Sequence, residues 1–129
     1  MSDKFIVEII SPDKTILNSE ASEVTIPSYE GQMGILKDHI PLITFLRPGI
    51  ISIQNQEKKN YLIDEGTVEF SNNKLLILTT SAKDLAELDQ SFITDELNQL
   101  EKKLSDNDPS DKEKYILNYK ISTLKEINQ

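Results

Sequence analysis

The 129-residue chain contains no cysteine. A disulfide framework and a thiolate metal site are both excluded. There is one histidine, His39, and one arginine, Arg47. A Ser-His-Asp triad would have to centre on His39, and no serine stands in the setting of a nucleophile elbow. A metal-binding barrel needs several clustered histidine and carboxylate ligands, which one histidine does not supply. Positive charge is scarce too: 14 Lys and Arg against 22 Asp and Glu leave a net charge of −8. That balance argues against nucleic acid and anionic lipid as partners, and favours basic ones. No apolar run approaches the ~20 residues of a membrane span. The longest, such as residues 75–78, have strand length. Residues 1–5 are polar, with neither a basic segment nor a long apolar one, so no signal or transit peptide is expected.

What is present divides near residue 84. Before it the signals are β. Phe5, Val7 and Ile9 alternate and run into a turn at residues 11–14. Val24 and Ile26 alternate and are expected to stop at Pro27. Residues 49–53 read as a strand, residues 54–59 as a polar connection, and residues 61–63 as the next strand. Val68 and Phe70 begin another, Ser71-Asn72-Asn73 makes a hairpin turn, and residues 75–78 close the series. Short strands at this spacing predict a sandwich or barrel. Three of the four glycines (Gly31, Gly34 and Gly49) and two of the five prolines (Pro41 and Pro48) fall in residues 31–49. That stretch reads as one shaped loop.

After Ala82 the texture becomes helical. Leu85, Leu88, Phe92, Leu97, Leu100 and Leu104 recur at helical spacing. Asp89 can cap this helix, with a start near Asp84 as the alternative. Residues 105–111 break it. A second helix follows, either from Asp108 with Pro109 at its first position or from the capping box Ser110-x-x-Glu113. Its stripe is Leu117, Ile121 and Leu124, flanked by Tyr115 and Tyr119. The expectation is a mainly β N-terminal sandwich, residues 1–84, followed by a C-terminal antiparallel α-helical hairpin, residues 85–129. The hairpin carries ten carboxylates against six lysines. Its narrow apolar stripes make it dependent on packing, because isolated helices of ~15 residues are marginal in water.

Sites for chemistry are missing. Residues 106–111 have the look of a calcium loop, but Pro109 interrupts it, no glycine stands at the sixth position and Glu113 falls too early. The plain reading is a helix connection whose aspartates cap the second helix. Residues 30–34 hold two glycines, yet no Lys or Ser/Thr follows at phosphate-loop spacing. No catalytic, metal or cofactor residue is therefore expected. Composition and periodicity end at an interaction protein.

One segment carries more. Residues 24–49, VTIPSYEGQMGILKDHIPLITFLRPG, closely resemble the most characteristic stretch of the epsilon subunits of bacterial F-type ATP synthases. The shared features are Pro27, Glu30-Gly31, Gly34, His39-x-Pro41-Leu42 and Pro48-Gly49. Residues 61–69 are similar to that family's next strand pair, residues 76–82 to its last strand, and Leu88-Asp89 to the entry of its first helix. There are departures. Lys37-Asp38 replaces the usual Pro-Gly, and Glu65 stands where a second glycine is common. Relatives that bind ATP carry an arginine and a second basic residue where this chain has Phe92 and Asn98. The hairpin thus offers no guanidinium for phosphate, and no nucleotide site is expected.

The resemblance implies a non-catalytic rotor subunit of the central stalk. It would bind the gamma subunit and touch the polar loops of the membrane c-ring, coupling rotation to proton flow. It would sit peripherally on the cytoplasmic face of the inner membrane, without inserting. Ser28, Tyr29, Glu30, Gly31, Gln32 and His39 would face the ring, with Glu30 pairing to basic ring-loop residues. The hairpin would take either of two positions and reach the alpha/beta catalytic head, regulating ATP hydrolysis. Its acidic balance weakens the expectation of strong inhibition. The alternative is a free-standing β-sandwich adaptor or regulatory module with a helical docking hook.

Overall fold

A computed structural model of the chain describes residues 3–106 and 108–127. The β part has ten strands: β1 Phe5–Ile10, β2 Thr15–Ala21, β3 Glu23–Ser28, β4 Gly31–Leu36, β5 Leu42–Leu46, β6 Gly49–Gln54, β7 Lys58–Ile63, β8 Gly66–Ser71, β9 Lys74–Thr79 and β10 Ala82–Asp84. They form one hydrogen-bonded sheet in the order β10-β7-β6-β3-β5-β8-β9-β1-β2, with β4 on the other side of β3. The link between its halves is a single pair, Ser28 with Leu46. At that link the sheet folds over, and the two five-stranded halves share one core. Val7, Ile9, Phe70 and Ile77 from one half and Val24, Ile26, Ile51 and Ile63 from the other are buried in it. Phe5 meets Phe70 edge-on at 5.6 Å. Each such side chain contributes roughly 1.5–3 kcal/mol by leaving water. The expected sandwich is the observed fold.

Alternation predicted β1, β3, β6, β7, β8 and β9. Three expectations need correction. Residues 31–49 are not one shaped loop: they hold β4 and β5, joined by residues 37–41. Their glycines and prolines fall at strand ends or open positions and do not break the ladder. A Cβ on Gly34 would meet nothing within 4 Å.

Pro27 does not end β3. The pairs on the β6 side stop at Thr25 with Ser52, and β5 takes over only at Ser28. Pro27 lies in that gap, where no neighbour needs an N–H. Its carbonyl accepts from the Arg47 amide at 3.0 Å.

The polar connection at 54–59 shrinks to residues 55–57, because Gln54 belongs to β6 and Lys58 to β7. Besides β4 and β5, two more strands went unread. β2 buries only Ala21 completely, so its pattern is faint, and β10 has three residues.

Local chemistry fixes the turns. Asn72 and Asn73 both adopt positive φ, 50° and 57°, as a tight β-hairpin requires. The Ser11 amide and hydroxyl both donate to the Lys14 carbonyl and close the β1–β2 turn.

The chain divides after Leu85 into two compact units. A 3₁₀ turn, Leu85–Glu87, spans the division, and the second unit holds α1 Gln90–Asp106 and α2 Asp111–Ile127. Asp89 is the cap: its Oδ1 accepts from the Phe92 amide at 2.8 Å and the Ser91 hydroxyl at 3.1 Å. Those donors, the Phe92 amide first, hold the Asp89 carboxyl below its ordinary value. Of the two starts open for the second helix, the one capped by Ser110 is formed. The Glu113 amide donates to Ser110 Oγ at 3.2 Å, and that hydroxyl donates to the Glu113 carboxylate at 3.1 Å. The helices pack on one another as a hairpin. Ile93, Leu100, Ile121 and Leu124 are the buried aliphatic side chains. Ile93 was missing from the expected stripe, while Phe92 and Leu97 are only half-buried. Tyr115 and Tyr119 stack edge-on at 4.8 Å.

Candidate functional site

The β3–β4 turn is shaped from within. Ser28 is fully buried, and its hydroxyl accepts from the Glu30 amide at 3.0 Å. Tyr29 and Glu30 form the bend, and Gly31 follows at φ 122°, a conformation other residues rarely adopt. The Tyr29 hydroxyl donates to Glu65 Oε2 at 2.9 Å. This bond ties the β3–β4 turn to the β7–β8 turn. It also gives a role to Glu65, one of the departures from the family pattern. Glu30, Gly31 and Gln32 are exposed. The β5–β6 connection reaches the same rim, where Arg47 is half-buried. The rim is thus a set of bonded turns presenting the Glu30 carboxylate, with Ser28 beneath as support.

His39 is elsewhere. Six residues of β4 separate the two turns, about 20 Å at ~3.3 Å per residue. The structure brings residues 28–32 together but does not bring His39 to them. The His39 ring packs edge-on against Phe70 at 6.0 Å, and its Nδ1 lies 2.7 Å from the Ile40 carbonyl oxygen. Its amide donates to the Leu36 carbonyl at 3.1 Å. Among the described residues no serine or carboxylate is bonded to the ring, and the His39 backbone closes the turn. Among the described residues no group of three His, Asp or Glu side chains could hold a metal ion.

A second feature was missed in the sequence. Ile40, Ile43 and Phe45 are 74%, 78% and 65% exposed. They lie along one side of the sandwich, on β5 and the turn before it, with Leu36 exposed at the end of β4. The signal was available: residues 40–46, IPLITFL, are apolar on both faces of a strand, although only one face can meet the core. Exposed apolar side chains grouped in this way are characteristic of docking surfaces.

Residues 4–84 match the family described as ATP synthase, Delta/Epsilon chain, beta-sandwich domain. The chain belongs to that family. It is 43% identical to the ATP synthase epsilon chain of Pelagibacter ubique over 130 residues, covering 99% of this chain and 100% of the relative. It is 36% identical to the chloroplastic epsilon chain of Pyropia yezoensis, over 89% of this chain and 86% of that one. Among solved structures, a chain of the Euglena gracilis mitochondrial ATP synthase matches with a TM-score of 0.82 at 23% identity, over 100% of this chain and 84% of that one. A chain of the Tetrahymena thermophila central stalk and c-ring matches with a TM-score of 0.69 at 21% identity, over 95% and 92%. These two likenesses concern the fold. Membership among the epsilon chains makes this a stalk subunit of an ATP synthase and not a catalytic one. No helix among the described residues is long and apolar enough to cross a membrane.

Proposed function

We propose that this chain couples the gamma subunit to the c-ring during proton-driven ATP synthesis, on the cytoplasmic face of the membrane. The β3–β4 turn supports the ring contact. Tyr29, Glu30, Gly31 and Gln32 project at one rim, on a base that Ser28 and the Tyr29–Glu65 bond make rigid. Glu30 meets basic or hydrogen-bonding groups of the ring loops. His39, at the far end of β4, joins the flank of Ile40, Ile43 and Phe45, which seats on the gamma subunit. The observation that carries the reading is this pairing of a polar rim with an apolar flank on an epsilon-family sandwich. The α1–α2 hairpin, a compact unit of its own, regulates ATP hydrolysis through the alpha/beta head.

The test is a cysteine at Glu30, oxidised in the assembled synthase against cysteines in the ring loop. A cross-link to the ring is expected. No cross-link from any position in 29–32 would overturn the ring contact. Phe45→Asp is expected to weaken gamma binding at least about tenfold, because a buried apolar anchor is replaced by a charge. Unchanged binding would remove β5 from the gamma interface.

A further inference from the structure

Two polar residues are buried among the described residues of the sandwich, Ser28 and Thr79. Ser28 supports the β3–β4 turn. Thr79 ends β9, in the other half of the sheet. Burying a hydroxyl costs stability unless it is bonded. Thr79 Oγ1 lies 3.0 Å from the Glu65 carbonyl oxygen and 3.1 Å from the Ser81 carbonyl oxygen, and it accepts from the Ser81 amide at 3.4 Å. The hydroxyl has one proton to give. The Ser81 carbonyl already accepts from the Asp64 amide at 3.1 Å, so the proton is needed at Glu65.

Glu65 stands in the two-residue turn between β7 and β8, outside the strand ladder. Its amide donates to Asp64 Oδ1 at 3.0 Å. Its carbonyl takes the Thr79 hydroxyl. Its carboxylate takes the Tyr29 hydroxyl at 2.9 Å. The residue that follows, Gly66, pairs with Thr79, and β8 and β9 approach so closely there that a Cβ on Gly66 would collide with the Leu78 carbonyl. A side-chain bond restrains its partner only as well as its own root is held. The carboxylate of an exposed glutamate on a turn is a loose tether for Tyr29; the same carboxylate on a backbone bonded to a buried threonine is a firm one.

We propose that Thr79 is a positioning residue for the ring contact, holding Glu30 in place through Glu65 and Tyr29. This rests on the reading that residues 29–32 meet the c-ring. The path runs from the Thr79 hydroxyl to the Glu65 backbone, out along the Glu65 side chain to the Tyr29 hydroxyl, and ends at the residue beside Glu30. It starts on β9 and ends on the turn after β3, so it crosses from one half of the sandwich to the other. Thr79 touches no partner itself. Its effect is on where the turn sits when the ring loop arrives, and a preplaced contact forms faster than one that must first be ordered.

The experiment uses the assembled synthase with Gln32→Cys and a cysteine in the ring loop, and measures the rate of disulfide formation. Thr79→Val keeps the branched shape and removes the hydroxyl. It should slow the cross-link about three- to tenfold, the shift that one lost hydrogen bond supports. Thr79→Ser restores the hydroxyl and should restore the rate. Tyr29→Phe cuts the same path at its far end and should slow the reaction by a similar factor, and the double variant Thr79→Val/Tyr29→Phe should be no slower than the worse single one. A native rate in Thr79→Val, whatever its stability to urea, would overturn the positioning role and leave the ring contact standing. Losses that multiply in the double variant would overturn the path through Glu65. No cross-link in the native background would remove the ring contact and this proposal together. Should Thr79→Val fail to fold, Tyr29→Phe decides, since a native rate there means that nothing reaches the turn through Glu65.

Discussion

Asp38 and Asn73 clasp each other across the sandwich. The Asp38 amide donates to Asn73 Oδ1 at 2.7 Å, and Asn73 Nδ2 donates back to Asp38 Oδ1 at 3.0 Å. Both residues have positive φ, 66° and 57°. Two left-handed turns that are far apart in sequence, β4–β5 and β8–β9, are thereby locked together. The clasp also accounts for a departure from the family pattern. Asp38 occupies a place where a glycine is common, holds the backbone a glycine would hold, and offsets the strain with two hydrogen bonds.

The clasp makes a directional prediction. Asn73→Ala loses both bonds and leaves a positive φ without compensation, so it should cost about 1–2 kcal/mol in urea unfolding. Asp38→Gly keeps the amide bond and relieves the backbone, and should stay within about 0.5 kcal/mol of the native chain. Equal losses for the two would show that the backbone, and not the clasp, sets the stability here.

The glycines separate in the same assay. A Cβ on Gly66 would land on the Leu78 carbonyl, and Gly66→Ala should cost about 1–3 kcal/mol. A Cβ on Gly34 meets nothing, and Gly34→Ala should raise stability by roughly 0.5 kcal/mol through the unfolded chain. If both were neutral, β8 would have to shift away from β9 at negligible cost.

Asp89 gives a pH dependence of known sign. Its carboxyl is held below the ordinary value by the Phe92 amide and the Ser91 hydroxyl. The contribution is present above the unfolded carboxylate value, ~3.9. It is lost as pH falls through the lower folded value. The first turn of α1 should therefore fray in acid, below about pH 4, with the Phe92 amide losing its shift dispersion and exchange protection. Asp89→Asn keeps an N-cap that does not titrate. Its Phe92 amide should be flat over the same range; an acid transition identical to that of the native chain would assign the effect to other carboxylates.

A chain ending after Leu85 should fold alone. It keeps β10, whose Ala82, Lys83 and Asp84 pair with Ile63, Leu62 and Tyr61. A chain ending before residue 82 loses that strand and bares the edge of β7. The longer fragment should give a cooperative thermal transition with β-sheet circular dichroism. An unfolded spectrum would mean that the sandwich needs the helices.

Legibility followed burial. β1 shows itself because Phe5, Val7 and Ile9 are buried and the polar Glu8 stands between the last two, although Ile6 is apolar and exposed. β5 hides because Ile43 and Phe45, its most apolar outward residues, are exposed, so hydrophobicity ceases to report the inner face. β4 hides because two of its six residues are glycine, which sequence patterns read as punctuation. The turn at residues 28–32 was readable from Glu30-Gly31. The distance to His39 was not, because it depends on β4 being extended. At each helix the sequence left two starts open, and the bonds from amides three residues on settle them at Asp89 and Ser110.

β1 pairs in parallel with β9, Ile6 opposite Lys74 and Ile10 opposite Leu78. The first strand made therefore waits for the last long one. Sixty-eight residues of synthesis separate these partners, roughly 3–14 s at ribosomal rates of ~5–20 residues per second. Through that interval Val7 and Ile9 have β2 beside them on one edge and nothing on the other. The nascent chain is most vulnerable to aggregation then, and a nonsense mutation anywhere before β9 should yield an insoluble fragment and not a partly working sandwich.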